Sequence, residues 1–263
     1  MELLVCVKRV PDLSENEIEI NQAGDDIARE ELVYSVNEPD NYAVEEALQI
    51  TSRVGGKVTV VTVGDDEDEE GLRREMAMGA SQGILLSDEA FRGSDSRGIA
   101  AILKAFIEQG RYDLILTGVQ AEDGGAQVGG MLAAMLDYPF ASLVNSIEVL
   151  ADRKLKIGRE IEGGAREISE IELPCVLSIQ TGINEPRYVG MRGIRAVSAV
   201  AIPAYSAAEL KLDRSTLGEA SAKVKRLDYF LPESGNGAEM LQGSREANAA
   251  RVAELIAAKG GSR

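Results

Sequence analysis

Four short apolar runs punctuate the first 120 residues: Glu2–Val7 (ELLVCV), Lys57–Val63 (KVTVVTV), Gly83–Leu86 (GILL) and Asp113–Thr117 (DLILT). Runs this short, with little polar alternation, read as strands buried on both faces. Helical patterns fall between and after them. Ala43, Val44, Ala47 and Leu48 stripe the stretch Asn41–Arg53; a second helix ends near Met78, a third covers Asp95–Gln109, and a fourth starts at about Ala126. Strand and helix in alternation specify an α/β fold, a parallel sheet with flanking helices on both faces.

After Leu136 the pattern changes. Phe140–Val149, Lys154–Ile161 and Ala165–Ile171 read as a small antiparallel meander turning near Asp152 and at Gly163-Gly164, and Leu173–Ile179 as a further buried strand. Asn184–Arg195, with one Pro, two Gly and three Arg, suits a mobile loop. Residues 196–227 are weakly patterned, Ser234–Gly237 is a turn, and Ser244–Lys259 is an amphipathic helix. The expected division is an α/β domain over 1–200 and a C-terminal arm with a terminal helix over 201–263.

The stretch Asp113–Leu136 (DLILTGVQAEDGGAQVGGMLAAML) runs from strand through a Gly- and acid-containing loop into a helix. The free N–H groups of such a helix start, with the helix dipole behind them, suit a phosphate. A plain strand-to-helix turn explains the glycines equally well. Charge narrows the partners. At −16 the chain lacks the basic face that nucleic acid or an anionic membrane requires, but it accommodates a partner protein with a basic docking surface. There is no histidine, so His-based triads, His general bases and His metal sites are excluded. Cys6 and Cys175 lack metal-ligand spacing and are too few for a disulfide framework. No apolar run approaches the roughly 18 residues of a membrane span, and MELLVCVKRV is too short for a signal peptide. The expectation is a cytoplasmic protein, not membrane-embedded.

Several separated motifs then carry a resemblance: Val7-Lys8-Arg9-Val10 with Asp12; Asn37, Pro39 and Ala43–Ala47; Met76–Ala80; Gly118, Gln120, Ala121, Asp123, Gln127 and Gly129; and Ile157–Ile168 followed by Pro174 and Glu185-Pro186-Arg187-Tyr188. Over residues 1–200 the chain resembles the β subunit of electron transfer flavoproteins. The resemblance implies a Rossmann-like, adenine-nucleotide α-hydrolase-like sheet. It implies a heterodimer with an α subunit, in which FAD sits mostly in α with β as a wall. In β itself it implies AMP, or a second FAD in electron-bifurcating members. Electrons would come from acyl-CoA dehydrogenase-type flavoenzymes and pass to a quinone-linked oxidoreductase.

Carried over residue by residue, the resemblance implies nucleotide contacts at Cys6, at Asn37, Glu38, Pro39 and Asp40, and at Val63. It implies more along the loop and helix start, at Gly118, Gln120, Asp123, Gly124, Gly125, Ala126, Gln127 and Val128. It places Tyr188 and Met191 in the loop that docks dehydrogenases. Gly124 and Gly125 would permit close approach of a phosphate, and Asp40 would accept from ribose hydroxyls or serve as an ordinary helix-start acid. Arg187, Arg192 and Arg195 would steer acidic partners or solubilise the loop. The loop between Gln120 and Gln127 is one residue shorter than the family's common form, and Glu38 separates Asn37 from Pro39. From another class, the same kind of sheet also serves adenine-nucleotide-hydrolysing enzymes.

Overall fold

The computed structural model describes residues 1–121, 124–232 and 237–260. Asp123 and the turn residues Ser234–Asn236 therefore lie outside the described residues. The elements run β1 (Glu2–Cys6), β2 (Arg9–Pro11), β3 (Tyr34–Val36), α1 (Glu38–Val54), β4 (Lys57–Val63), α2 (Glu69–Met78), β5 (Gln82–Leu86), α3 (Ser96–Ile107), β6 (Leu114–Gly118) and α4 (Val128–Leu136). The chain continues through β7 (Phe140–Val149), β8 (Lys154–Ile161), β9 (Ala165–Glu172), β10 (Cys175–Ile179), α5 (Met191–Val197), β11 (Ala204–Tyr205), α6 (Gly218–Ser221) and α7 (Arg245–Ala258).

A nine-stranded sheet has the order β11-β5-β4-β1-β6-β10-β7-β8-β9. Strands β11, β5, β4, β1, β6, β10 and β7 pair in parallel, and β7-β8-β9 form the antiparallel meander at one end. The period-2 geometry of a strand explains why the central runs are apolar throughout. Leu3, Val5, Leu114, Leu116, Cys175 and Leu177 join the core that packs on α1 and α2. Leu4, Ile115 and Val176, one residue out of step, join the core on α3 and α4. Truncating one of these fully buried side chains, Leu116→Ala for example, falls in the class that costs about 2–5 kcal/mol.

Pro11 lacks the N–H a central strand needs. It ends a two-stranded antiparallel pair, β2 with β3, outside the large sheet. Helix α1 begins at Glu38, three residues before the apolar stripe suggested, because Pro39 suits its first turn; Asn37 stands at the N-cap position without a side-chain cap bond. Residues 191–197 are helical rather than part of a featureless loop. The weakly patterned stretch after Ala196 adds β11 to the sheet edge beside β5, and Ala207, Leu210 and Leu217 are buried in the α3/α4 core. Asp88 holds that stretch, accepting from Ala207 N at 3.1 Å and pairing with Arg214 at 2.9 Å.

Met1–Glu19 with Ala28–Leu227 form one compact unit, and Ile20–Ile27 with Asp228–Arg263 form a second. In the second, Ile20 and Ile27 make an antiparallel bridge. Ser244 caps α7 by accepting from Ala247 N.

Candidate functional site

The sheet changes direction between β1 and β6. From β1 the chain moves outward through β4 and β5, then returns to lay β6 on the other side of β1. Loops leaving the carboxyl ends of two such strands diverge, and the crevice between them is where open α/β sheets take ligands.

The start of α1 closes on this crevice. Asn37 N donates to Lys8 O at 2.8 Å, and Asn37 Nδ2 donates to Gln120 O at 2.9 Å, tying the loop after β1 to the loop after β6. Asp40 repeats the link. Its Oδ2 accepts from Lys8 N and its Oδ1 from Gly118 N, each at 2.9 Å. Burial pushes this carboxyl up to about 7, while hydrogen bonds from Asn37 and from the Lys8 and Gly118 N–H groups favour its charged form. Burial, with the Asp40 charge added, also drives the Cys6 thiol far above the usual thiol range. Gly118 must be glycine here: a Cβ would overlap Asp40 Oδ1 and lie 2.8 Å from Pro39 Cβ.

Gly124, Gly125, Ala126 and Gln127 are exposed. Ala126 adopts a left-handed φ of 56°. Among the described residues, a Cβ on Gly124 or Gly125 would meet nothing nearer than 3.7 or 3.6 Å, so packing against those residues does not require the two glycines. Gln127 gives α4 no side-chain cap, so the N–H groups of its first turn, from Val128 on, have no cap bond from that residue. Gly129 seats the helix. A Cβ there would overlap Ser178 Oγ and lie 2.9 Å from Thr117 Oγ1, two buried hydroxyls that bond each other at 2.8 Å.

The structure thus brings Cys6, Asn37, Glu38, Pro39, Asp40, Gly118 and Gln120 together at the switch point, with Gly124–Val128 on the loop and helix that leave it. Val63 stands at the same edge, at the end of β4. It lines a cavity of about 520 Å3 with Gly64, Ser87, Asp88 and Phe91, whose walls include none of the Asn37–Asp40 residues. Tyr188 and Met191 lie elsewhere, 93% and 64% exposed. Tyr188 borders a second cleft, of about 670 Å3, with Arg9, Tyr34, Tyr42 and Arg74.

Arg187 does not stand free to steer partners. It makes a two-pronged pair with the buried Glu45, Nε to Oε2 at 2.7 Å and Nη2 to Oε1 at 3.0 Å. The reading of residues also missed Glu46 and Glu75, both buried. Glu75 is fully enclosed, and neither carboxylate oxygen has a partner among the described residues. Burial pushes it up to about 8, Arg74 lowers it, and Asp40 raises it further. A signal was present: Glu46 lies on the Ala43-Ala47-Ile50 stripe and Glu75 on the Leu72-Met76 stripe.

Among the described residues no group of three or more Asp, Glu or Cys side chains could hold a metal ion. Fold and crevice define a doubly covered α/β sheet with an open crevice at the β1/β6 switch. Comparison with known proteins narrows this class to one family. The family model for the electron transfer flavoprotein domain matches residues 26–210. The chain is 35% identical over 260 residues to the electron transfer flavoprotein subunit beta of Methylophilus methylotrophus, covering 97% of this chain and 98% of that one. It is 36% identical over 246 residues to the protein of the same name from Thermoanaerobacterium thermosaccharolyticum, covering 93% of each. It is 35% identical over 247 residues to the caffeyl-CoA reductase-Etf complex subunit CarD of Acetobacterium woodii, again covering 93% of each. The chain belongs to the electron transfer flavoprotein β subunit family, and its role is electron transfer.

Proposed function

We propose that this chain is the β subunit of a cytoplasmic heterodimer. The FAD shared with the α subunit accepts electrons from acyl-CoA dehydrogenase-type flavoenzymes and delivers them to a quinone-linked oxidoreductase. The crevice at the β1/β6 switch holds the adenylate part of AMP. The observation that carries this reading is the convergence of Asn37, Asp40, Gly118 and Gln120 on one crevice beside an uncapped helix start. Uncapped N–H groups suit a phosphate. Gly124 and Gly125, which packing against the described residues does not require, suit its close approach. Both Asp40 oxygens are already bonded to backbone, so Asp40 serves the ligand by holding the two strand ends rather than by accepting from a ribose. When bound, the flavin supplies the redox chemistry, and the protein supplies position and surroundings.

A second reading puts FAD in place of AMP, in an electron-bifurcating complex. It is favoured by the likeness to a subunit of a reductase–Etf complex, equal in identity to the Methylophilus match. One experiment separates these readings. The chain is produced with and without its α partner, a visible spectrum is taken, and nucleotides are extracted. Flavin absorbance that requires α, with AMP in the extract, supports the first reading; FAD in excess of the α-held flavin and no AMP supports the second. ATP turnover by the lone chain would sink both in favour of a hydrolase.

A further inference from the structure

Tyr188, Met191 and Ile194 present exposed apolar surface from one short segment, yet that segment is fastened on both sides of them. Before Tyr188 the anchor is α1. Glu45 and Glu46 are adjacent on this helix and both buried, an arrangement that is costly unless each carboxylate finds donors. The donors come from 142 and 138 residues away in sequence. Arg187 engages both Glu45 oxygens through its fork, and its backbone N donates to Glu45 Oε2 at 3.2 Å. Asn184 Nδ2 donates to Glu46 Oε2 and to Tyr42 O, each at 3.1 Å. Burial works against the charge on Glu45, but the Arg187 and Gln49 hydrogen bonds outweigh it and hold the carboxyl below its usual range.

After Ile194 the anchor is α2. Arg73 Nη1 donates to three carbonyls beyond or at the end of α5: Val197 O at 3.0 Å, Ser198 O at 3.3 Å and Val200 O at 3.0 Å. Its other nitrogen, Nη2, bonds Glu69 at 2.9 Å, which fixes the guanidinium. A cation at a helix C-terminus satisfies the carbonyls that have no partner in the helix. Between the anchors, Gly193 lets α5 lie directly on α2, since a Cβ would come within 3.0 Å of Ala77 O.

We propose that Arg187 and Arg73 are positioning residues for partner docking: they hold residues 188–198 in one arrangement before the partner arrives. This rests on the reading of Tyr188 and Met191 as docking residues. A segment already ordered does not lose binding free energy to ordering on contact. Neither arginine needs to touch the partner. Their effect is carried through α1 and α2, the helices to which they are fastened.

The test uses the flavin-loaded heterodimer and an acyl-CoA dehydrogenase from the same organism. Electron transfer is followed against dehydrogenase concentration, and amide exchange across 188–198 is measured by mass spectrometry on the same samples. Arg187→Gln and Arg73→Gln are each expected to raise the half-saturating dehydrogenase concentration about five-fold while the limiting rate stays within about two-fold. Exchange of the 188–198 amides is expected to quicken about ten-fold. Adding Glu45→Gln to Arg187→Gln costs no further affinity, because the pair is already broken. Where Arg187→Gln lowers flavin content, Arg187→Lys keeps the charge without the fork and is expected to give the same direction of change. If Met191→Ala weakens docking while the arginine variants alter neither half-saturation nor exchange, the positioning role is wrong and docking stands. If Met191→Ala and Tyr188→Ala leave transfer unchanged, the docking reading fails and the positioning role falls with it, whatever the exchange shows.

Discussion

At Asp40 one carboxylate takes backbone N–H groups from two different strand ends, Lys8 after β1 and Gly118 at the end of β6. An amide in its place has one acceptor oxygen, and its NH2 faces a second donor. Asp40→Asn is therefore expected to cost about 1–3 kcal/mol and to lower nucleotide occupancy; a urea midpoint equal to the parent's would show that these bonds contribute nothing. Glu75 titrates in a telling direction. Its folded pKa of about 8 lies above the ordinary 4.5, so the folded state holds the proton more tightly than the unfolded chain. Its contribution is fully present below pH 4.5 and is lost as pH rises through about 8, at up to roughly 1.4 kcal/mol per pH unit. Asp40, raised from 3.8 to about 7, acts with the same sign. Glu75→Gln is expected to flatten the fall in stability between pH 5.5 and 8.5 and to leave the Asp40 share. Identical slopes in parent and variant would mean that another group titrates. These acids were hard to find from sequence because charge argues for solvent while the 3.6-residue period argues for the core. For Glu45 the deciding fact, Arg187, comes from 142 residues away.

Elements with their own period were legible; elements held by distant contacts were not. β1, β4, β5 and β6 are short apolar runs, and α1 and α3 carry clear stripes, so the alternation of strand and helix and the parallel sense followed directly. β11 has two residues and no period to read. α5 is a helix because Arg73 takes its last carbonyls and Gly193 sits on α2, neither of which is local. The strand-loop-helix unit β6–α4 was legible as a unit, but its glycines divide by role only in three dimensions. Gly129→Val is expected to cost about 1–3 kcal/mol, since its Cβ would overlap Ser178 Oγ. Gly125→Val, whose Cβ makes only ordinary contact with the Gln127 side chain, is expected to leave the urea midpoint alone and to lower nucleotide occupancy. Full occupancy in Gly125→Val would show that the loop stays clear of the phosphate.

The whole chain combines a high net charge with exposed apolar side chains from Val224 on. Its net charge of −16 keeps like molecules apart, while the stretch from Val224 to Met240 exposes Val224, Leu227, Phe230, Leu231 and Met240, with Leu227 at 95% and Phe230 at 79%. Large apolar side chains exposed this close together in sequence suit contact with a partner. From Asp228 on, no described residue is buried. Membership of the β subunit family names the partner class that would cover them, the α subunit. Each large apolar side chain taken from water contributes about 1.5–3 kcal/mol, and a loss of 1.4 kcal/mol is a tenfold change in Kd. A chain ending at Leu227 is therefore expected to unfold in urea close to the parent midpoint and to bind α at least about tenfold more weakly, measured by calorimetry with the purified subunits. If the shortened chain bound α as tightly as the full one, the arm would face something other than the α subunit. If its unfolding free energy in water fell by more than about 2 kcal/mol, the arm would be part of the fold, and its exposure in the isolated chain would no longer argue for a partner.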